Sequence, residues 1–325
     1  SNSKTSYNGN YGLNASWTLY NGNKRLKTIQ QEKLNNQVAE LDVATSENNI
    51  QESIAQVYIQ ILYAAESVKV NESTLQVSIA QRDRGQELLN AGSIAKSDFA
   101  QLEAQVSTDR YQLVTAQATL EDYKLQLKQL LELDGENEMN IYLPALSDEN
   151  VLAPLPTKKD VYIRALSLRP EIEASKLNVE ASELGIGIAK SSYLPTISLS
   201  AGIGTNHTSG SDFTFGEQVK NGWNNSIGLS VSVPIFNNRQ TKSAVQKAKL
   251  QYETSMLSLL DEQKTLYKTI EGLWLDANSA QQRYAAANEK LKSTQISYEL
   301  ISEQFNLGMK NTIELLTEKN NLLQA

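Results

Sequence analysis

The chain has 325 residues and a formal net charge of −7, enough for two ordinary domains or one elongated assembly unit. Its cationic runs, Lys24-Arg25 and Lys158-Lys159, are short, so binding to nucleic-acid phosphates has no electrostatic support. Cysteine is absent, which excludes disulfides and thiol chemistry within the chain, and no run of 18 apolar residues encodes a transmembrane helix, which leaves open β-strands that cross a bilayer.

Ser1-Asn2-Ser3 carries no secretion signal, and Leu322-Leu323-Gln324-Ala325 stops inside a helical pattern, so the chain reads as a fragment or processed form of a longer protein. The first predicted strand runs from Tyr11 to Tyr20. Tyr11, Leu13, Ala15, Trp17 and Leu19 alternate there with Gly12, Asn14, Ser16 and Thr18. A helix is then expected from Asn23 to Leu89, about 100 Å long at 1.5 Å per residue. Leu34, Val38, Leu41, Ile54, Ile61, Val68 and Leu75 fall at heptad spacings along it, with Asn48 and Asn71 as polar interruptions. No globular core needs so long a helix; the spacing predicts a coiled coil.

Asn90-Ala91-Gly92 breaks the pattern, and a second helix is expected from Lys96 to Leu133. Asp134 to Thr157, with Pro144, Pro154 and Pro156, reads as irregular and precedes a short helix. Leu168-Arg169-Pro170-Glu171-Ile172-Glu173 opens an amphipathic helix that runs to Tyr193-Leu194-Pro195. Two more strands follow, Thr196 to Gly204 and Asn225 to Phe236, separated by a polar loop from Thr205 to Gly222. Each strand has one apolar face and one face of small polar residues. A soluble sandwich turns the apolar face to its core, and a transmembrane barrel turns it to lipid; alternation alone fits both. A last long helix is expected from Arg239 to Asn306.

Asn306-Leu307-Gly308 repeats the context of Asn90-Ala91-Gly92 at an offset of 216 (308 − 92). The same offset carries Gly12-Leu13 onto Gly228-Leu229, Lys33-Leu34 onto Lys249-Leu250, and Asp98 onto Glu314. The chain therefore contains one strand–long helix–hairpin unit twice. A duplicated coiled coil without a pore would show the same repeat.

No residue set proposes catalysis. His207 is the only histidine and lies in the polar loop, Gly185 and Gly187 lie inside a helix instead of a strand-to-helix turn, and Glu171 and Glu173 suit a helix N-terminus. One His and three Met without Cys do not suggest a metal relay. No cofactor is expected.

Taken together, Leu168-Arg169-Pro170-Glu171-Ile172, the run Ala189-Lys190-Ser191-Ser192-Tyr193-Leu194-Pro195-Thr196-Ile197-Ser198-Leu199, and Val233-Pro234-Ile235-Phe236 with its repeat partner Trp17-Thr18-Leu19-Tyr20-Asn21-Gly22 resemble the TolC-like outer-membrane efflux proteins. Phe305-Asn306-Leu307-Gly308, with an acid six residues beyond the glycine, completes the likeness. The resemblance implies a mainly α fold of long antiparallel coiled-coil hairpins in a duplicated repeat, with a small β portion contributing strands to a trimeric transmembrane barrel. It assigns residues 1–22 and 194–237 to barrel strands and loop, 23–133 to the first hairpin, 134–168 to an irregular equatorial segment, 169–193 to a short helix and 238–325 to a truncated second hairpin. A homotrimer is implied, with a periplasmic adaptor, an inner-membrane transporter and outer-membrane lipid as partners, and a helical portion in the periplasm. Four strands per subunit are the family pattern; only three are legible here.

The resemblance also implies a gate at the hairpin tips. Asp98 would pair with Lys310, Glu314 would form an acid ring in the pore, and Phe305 stands where a tyrosine is common. Gly92 and Gly308 mark the turns where an adaptor would dock, near Leu89–Ser97 and Leu307–Thr312. Trp17 and Trp223 are expected at the membrane–water boundary. The competing function is a coiled-coil envelope scaffold or adhesin without a pore.

Overall fold

A computed structural model of the chain describes residues 6–134, 139, 141–144 and 151–325. Positions 135–138, 140 and 145–150 of the expected irregular stretch lie outside the described residues. Two helices of equal length, α1 (Lys24–Asn90) and α6 (Gln240–Asn306), have 67 residues each. Their entries match as well. Gly22 and Asn23 have φ of 66° and 61°, and their repeat counterparts Asn238 and Arg239 have 51° and 63°. The duplicated sequence thus folds through the same left-handed pair at both strand-to-helix turns. The remaining helices are α2 (Lys96–Leu130), α3 (Lys158–Leu168), α4 (Pro170–Lys190), α5 (Phe215–Asn221) and α7 (Thr312–Gln324). Helix α2 ends three residues before the expected Leu133, because Glu132 takes a φ of 54° that no right-handed helix accommodates.

The chain divides into two units, residues 1–44 with 164–266 and residues 45–163 with 267–325. The first contains an antiparallel sheet of β1 (Asn8–Asn21), β2 (Thr196–Thr208) and β3 (Asn224–Ser232), in that order. Its register sorts the two faces. Trp17–Leu199–Leu229 and Ala15–Ala201–Ile227 form rows on the apolar side, while Ser16–Ser200–Gly228 and Thr18–Ser198–Ser230 form rows on the polar side. The apolar row residues Leu13, Trp17, Ile227, Leu229 and Val231 are all at least 60% exposed, so no second layer among the described residues covers this face.

Three strand expectations need correction. Alternation in β1 stops at a bulge between Thr18 and Tyr20, which places Tyr20, and not Leu19, opposite Ile197. Strand β3 ends at Ser232 instead of Phe236, since Pro234 has no N–H to give the ladder. Strand β2 extends to Thr208, because β1 starts at Asn8 and pairs with it that far; the polar composition of Thr205–Thr208 had hidden a strand. The rest of the expected loop holds helix α5. Its start is a capping box in which the Thr214 hydroxyl accepts from Glu217 N and the Glu217 carboxylate accepts from Thr214 N at 2.9 Å.

Helix α4 begins with Pro170 in its first turn, where the missing N–H costs nothing. It packs against both long helices within this unit. Gln31 donates to the Ala181 carbonyl at 2.7 Å, and the hydroxyls of Ser182 and Ser255 share a hydrogen bond of 2.8 Å. Its buried residues include Ile172, 1% exposed.

In the second unit, the backbone before α3 is strapped along α6. Trp274 donates its indole N–H to the Pro156 carbonyl at 3.1 Å, and the Gln281 amide donates to the carbonyls of Val151 and Ala153 at 2.9 and 2.8 Å. Lys158 pairs with Glu271 at 3.2 Å and lies 5.1 Å from the Trp274 ring centroid. The short helix that follows Thr157 is thus α3, and Val151, Ala153 and Pro156 before it are tied to α6. Ile172→Ala removes a fully enclosed side chain and is expected to cost about 2–5 kcal/mol; a lowered thermal midpoint by circular dichroism checks this.

Candidate functional site at the hairpin turns

Both hairpin turns use one backbone solution. After α1, Gly92 N bonds the Leu89 carbonyl at 3.0 Å and Ser93 N bonds the Leu88 carbonyl at 2.8 Å. After α6, Gly308 N bonds the Phe305 carbonyl at 2.9 Å and Met309 N bonds the Gln304 carbonyl at 2.8 Å. This is the Schellman pattern, closed by glycines with φ of 71° and 74°. Leu307 and Met309 remain 75% and 70% exposed beside the second turn.

The acids predicted for the gate sit at equivalent places in the two repeats, each in the first turn of the following helix. Asp98 accepts from Ala95 N at 3.3 Å, and Glu314 accepts from Asn311 N at 3.2 Å while the Asn311 side chain accepts from Glu314 N at 2.9 Å. The structure does not bring Asp98 and Lys310 together within one chain. Lys310 instead pairs with Glu314 on its own helix entry, at 2.6 Å. That hydrogen bond, with the backbone N–H of Asn311, holds the Glu314 carboxyl below its ordinary value.

Phe305 does not stand on an exposed tip surface. It is 2% exposed and packs with Leu102 of α2 and Leu315 of α7, flanked by Leu88, Tyr298 and Leu316. A tyrosine hydroxyl at this position would enter an apolar cluster, so phenylalanine here satisfies packing and leaves no polar atom to partner. Four helices of the unit meet in that cluster.

Sequence reasoning missed a buried polar centre on the same helices. The Lys319 ammonium of α7 bonds both the Ser78 hydroxyl of α1 and the Asp109 carboxylate of α2, Ser78 also donates to Asp109, and Gln105 donates to the second Asp109 oxygen at 2.8 Å. Asp109 and Lys319 are 3% and 4% exposed, the only buried charged side chains among the described residues. A signal existed. Ser78, Asp109 and Lys319 fall three or four residues after the buried Leu75, Val106 and Leu315, so each puts a polar group on an apolar seam. Asn71, expected to interrupt the seam of α1, donates to the Ser67 carbonyl of its own helix at 2.7 Å.

Duplicated helical hairpins joined to an antiparallel sheet with one exposed apolar face are the features to compare with known proteins. The sequence profile of outer membrane efflux proteins matches residues 161–325, and the chain belongs to that family. BepC of Brucella suis biovar 1 (strain 1330), an outer membrane efflux protein, is 24% identical over 279 residues, 85% of this chain and 58% of BepC. The outer membrane protein TolC of Escherichia coli (strain K12) is 22% identical over 297 residues, 89% of this chain and 59% of TolC. The chain thus spans less than two thirds of these relatives. A crystal structure of CusC shares the fold, with a TM-score of 0.82 at 20% identity over 100% of this chain and 74% of that one. Family membership places the protein in the outer membrane, with its helical part in the periplasm.

Two outcomes follow from this geometry. Lys319→Ala leaves Asp109 buried without its cation and is expected to destabilise the unit by about 3–5 kcal/mol, while Lys319→Met combined with Asp109→Leu recovers most of it; chemical denaturation of the set of variants measures both. The lowered pKa of Glu314 stabilises the α7 entry above the ordinary value of 4.5, and that contribution is lost as pH falls through the folded value. Amide exchange at Asn311–Leu315 is expected to accelerate on acidification below that range, and Glu314→Gln is expected to flatten the dependence.

Proposed function

We propose that this protein is the outer-membrane exit duct of a tripartite export system, a passive channel that carries small molecules or proteins from the periplasm to the outside. The observation that carries the reading is the sheet. Its apolar face is exposed, its opposite face is lined by Ser, Thr, Asn and Gly, and its two outer strands have no partner on their far sides among the described residues. In hydrocarbon such edges leave backbone groups unpaired, so further strands must close the barrel, and a homotrimer supplies them. Exposed Leu250, Leu257, Leu273 and Ile296 on α6 give copies of the helices apolar surface to pack on. BepC and TolC carry outer-membrane names in keeping with this role.

The periplasmic adaptor docks at the hairpin turns around Gly92 and Gly308, where Leu307 and Met309 offer exposed apolar contact, and an inner-membrane transporter supplies substrate through it. Asp98, Lys310 and Glu314 form the gate. Lys310 exchanges between Glu314 and Asp98 as the tips close, and Phe305 anchors the second turn from beneath. Lysine in place of arginine gives a single-point contact instead of a bidentate one, which makes the latch weak. Exposed pairs contribute only about 0–1 kcal/mol each, so closure depends on repetition around the ring. Three Glu314 carboxylates facing one lumen favour cations.

The test is planar-bilayer conductance of the full-length protein. Lys310→Ala or Asp98→Ala is expected to raise conductance, and Glu314→Ala to abolish block by multivalent cations. Unchanged block in the last variant removes Glu314 from the pore, and absence of any channel removes the duct.

A further inference from the structure

The segment between β2 and β3 packs on one chosen side of the sheet. Tyr11 and Thr205 form one row on the apolar face, and His207 follows on the same side. The Phe215 ring of α5 meets Tyr11 edge-on at 6.4 Å and His207 at 5.0 Å. The Thr205 hydroxyl donates to the Val219 carbonyl at 2.8 Å. The Gln218 amide accepts from Thr208 N at 2.8 Å and donates to the Thr208 carbonyl at 3.2 Å, in the place of a further ladder residue. Helix α5 is thus pinned to the outward, apolar face, away from the Ser- and Gly-lined one.

Its height on that face is equally defined. The apolar rows run from Tyr20 to Leu13, opposite Ile197 to Ile203 on β2, about 20 Å along the strand at 3.3 Å per residue and about 15 Å of height at the 35–45° tilt of outer-membrane barrels, so the ~25 Å apolar band is completed only by groups beyond Leu13. Asn225 in the Leu13–Ile203 row and Thr205 in the Tyr11 row end the band, and α5 sits at that edge. There Phe213, Phe215 and Trp223 stay 61%, 55% and 55% exposed. The Glu217 carboxylate is engaged locally, accepting from the backbone N–H and the hydroxyl of Thr214. Three rings are therefore exposed at this edge beside a helix whose Glu217 is already capped.

We propose that α5 and its flanks form an interfacial anchor, seating Phe213, Phe215 and Trp223 among the headgroups and upper acyl chains of the outer leaflet. Amphipathic rings prefer that depth, and Phe215 reaches the apolar face of the sheet through Tyr11. It rests on the reading of the sheet as part of an outer-membrane barrel. The anchor fixes how far the barrel can slide along the membrane normal, since the rings resist both deeper insertion and withdrawal into water.

Depth-dependent fluorescence quenching tests this on the full-length protein in vesicles of phosphatidylethanolamine and phosphatidylglycerol. In a Trp17→Phe, Trp223→Phe, Trp274→Phe background, Ile227→Trp reports the band and Phe215→Trp reports the anchor. Native Trp223, kept alone, serves as a second probe if the Phe215 variant does not fold. The expected result is loss of Ile227→Trp emission to bromines deep in the acyl chains, and loss of Phe215→Trp and Trp223 emission to bromines near the headgroups with little loss to iodide in water. Iodide quenching of the two anchor probes, with the Ile227 probe still quenched by lipid, overturns the anchor and leaves the barrel standing. Anchor probes reached by neither quencher are covered by protein, which also overturns it. An Ile227 probe quenched by iodide alone overturns the barrel and the anchor together.

Discussion

A peptide group taken out of water must find a hydrogen-bond partner, and the sheet of this protein is built under that rule at its most severe. Each unpaired backbone group in hydrocarbon costs several kcal/mol. Strand β2 is satisfied on both sides, but β1 and β3 each present one row of donors and acceptors that the described residues do not meet. The side chains are sorted accordingly. Bulky Leu13, Trp17, Ile227 and Leu229 face outward, and Ser16, Ser200 and Gly228 line the other face in one row. Small inner residues keep a barrel interior open, and the edges commit the chain to partners.

The hairpin turns are closed by the same capping device in both repeats. Asp98 and Glu314 each bond a backbone N–H at the start of the helix that follows the turn. A cap fixes the carboxylate within the first helical turn. Lys310 is the movable member, because an ion pair with both side chains about a third or more exposed holds it only weakly. Two locally capped acids beside one weakly held cation form an arrangement that needs little free energy to rearrange.

Much of this was legible in the sequence because the signals were periodic. Alternation found three strands, the heptad found α1, and the 216-residue offset found α6 and its turn; the left-handed pairs at Gly22-Asn23 and Asn238-Arg239 are the same repeat expressed in backbone angles. What escaped was decided by single contacts. The Leu19 bulge shifts register without changing composition, and α5 hid in polar residues although Thr214-Phe215-Gly216-Glu217 spells a capping box. Phe305 was read from a family pattern as a gate residue, whereas packing decides its place: Leu102 and Leu315 enclose it. The partner of Lys310 follows from its i,i+4 spacing to Glu314, a local contact that outcompetes the distant Asp98 within one chain.

The buried Lys319–Asp109 pair acquires its meaning from the same duplication. Two hairpins with like sequences can in principle exchange places, each helix packing where its repeat counterpart belongs. At an offset of 216, Lys319 corresponds to Glu103, Asp109 to Ala325 and Ser78 to Thr294. An exchanged packing would bury Glu103 where the ammonium now lies and would offer it no cation from Ala325. Taking a carboxylate out of water without a partner is costly, so the exchanged arrangement is penalised far more than the native one gains. A buried ion pair adds little net stability compared with well-packed apolar residues. A buried ammonium on α7 where α2 carries Glu103 makes the two helices chemically distinct at that position.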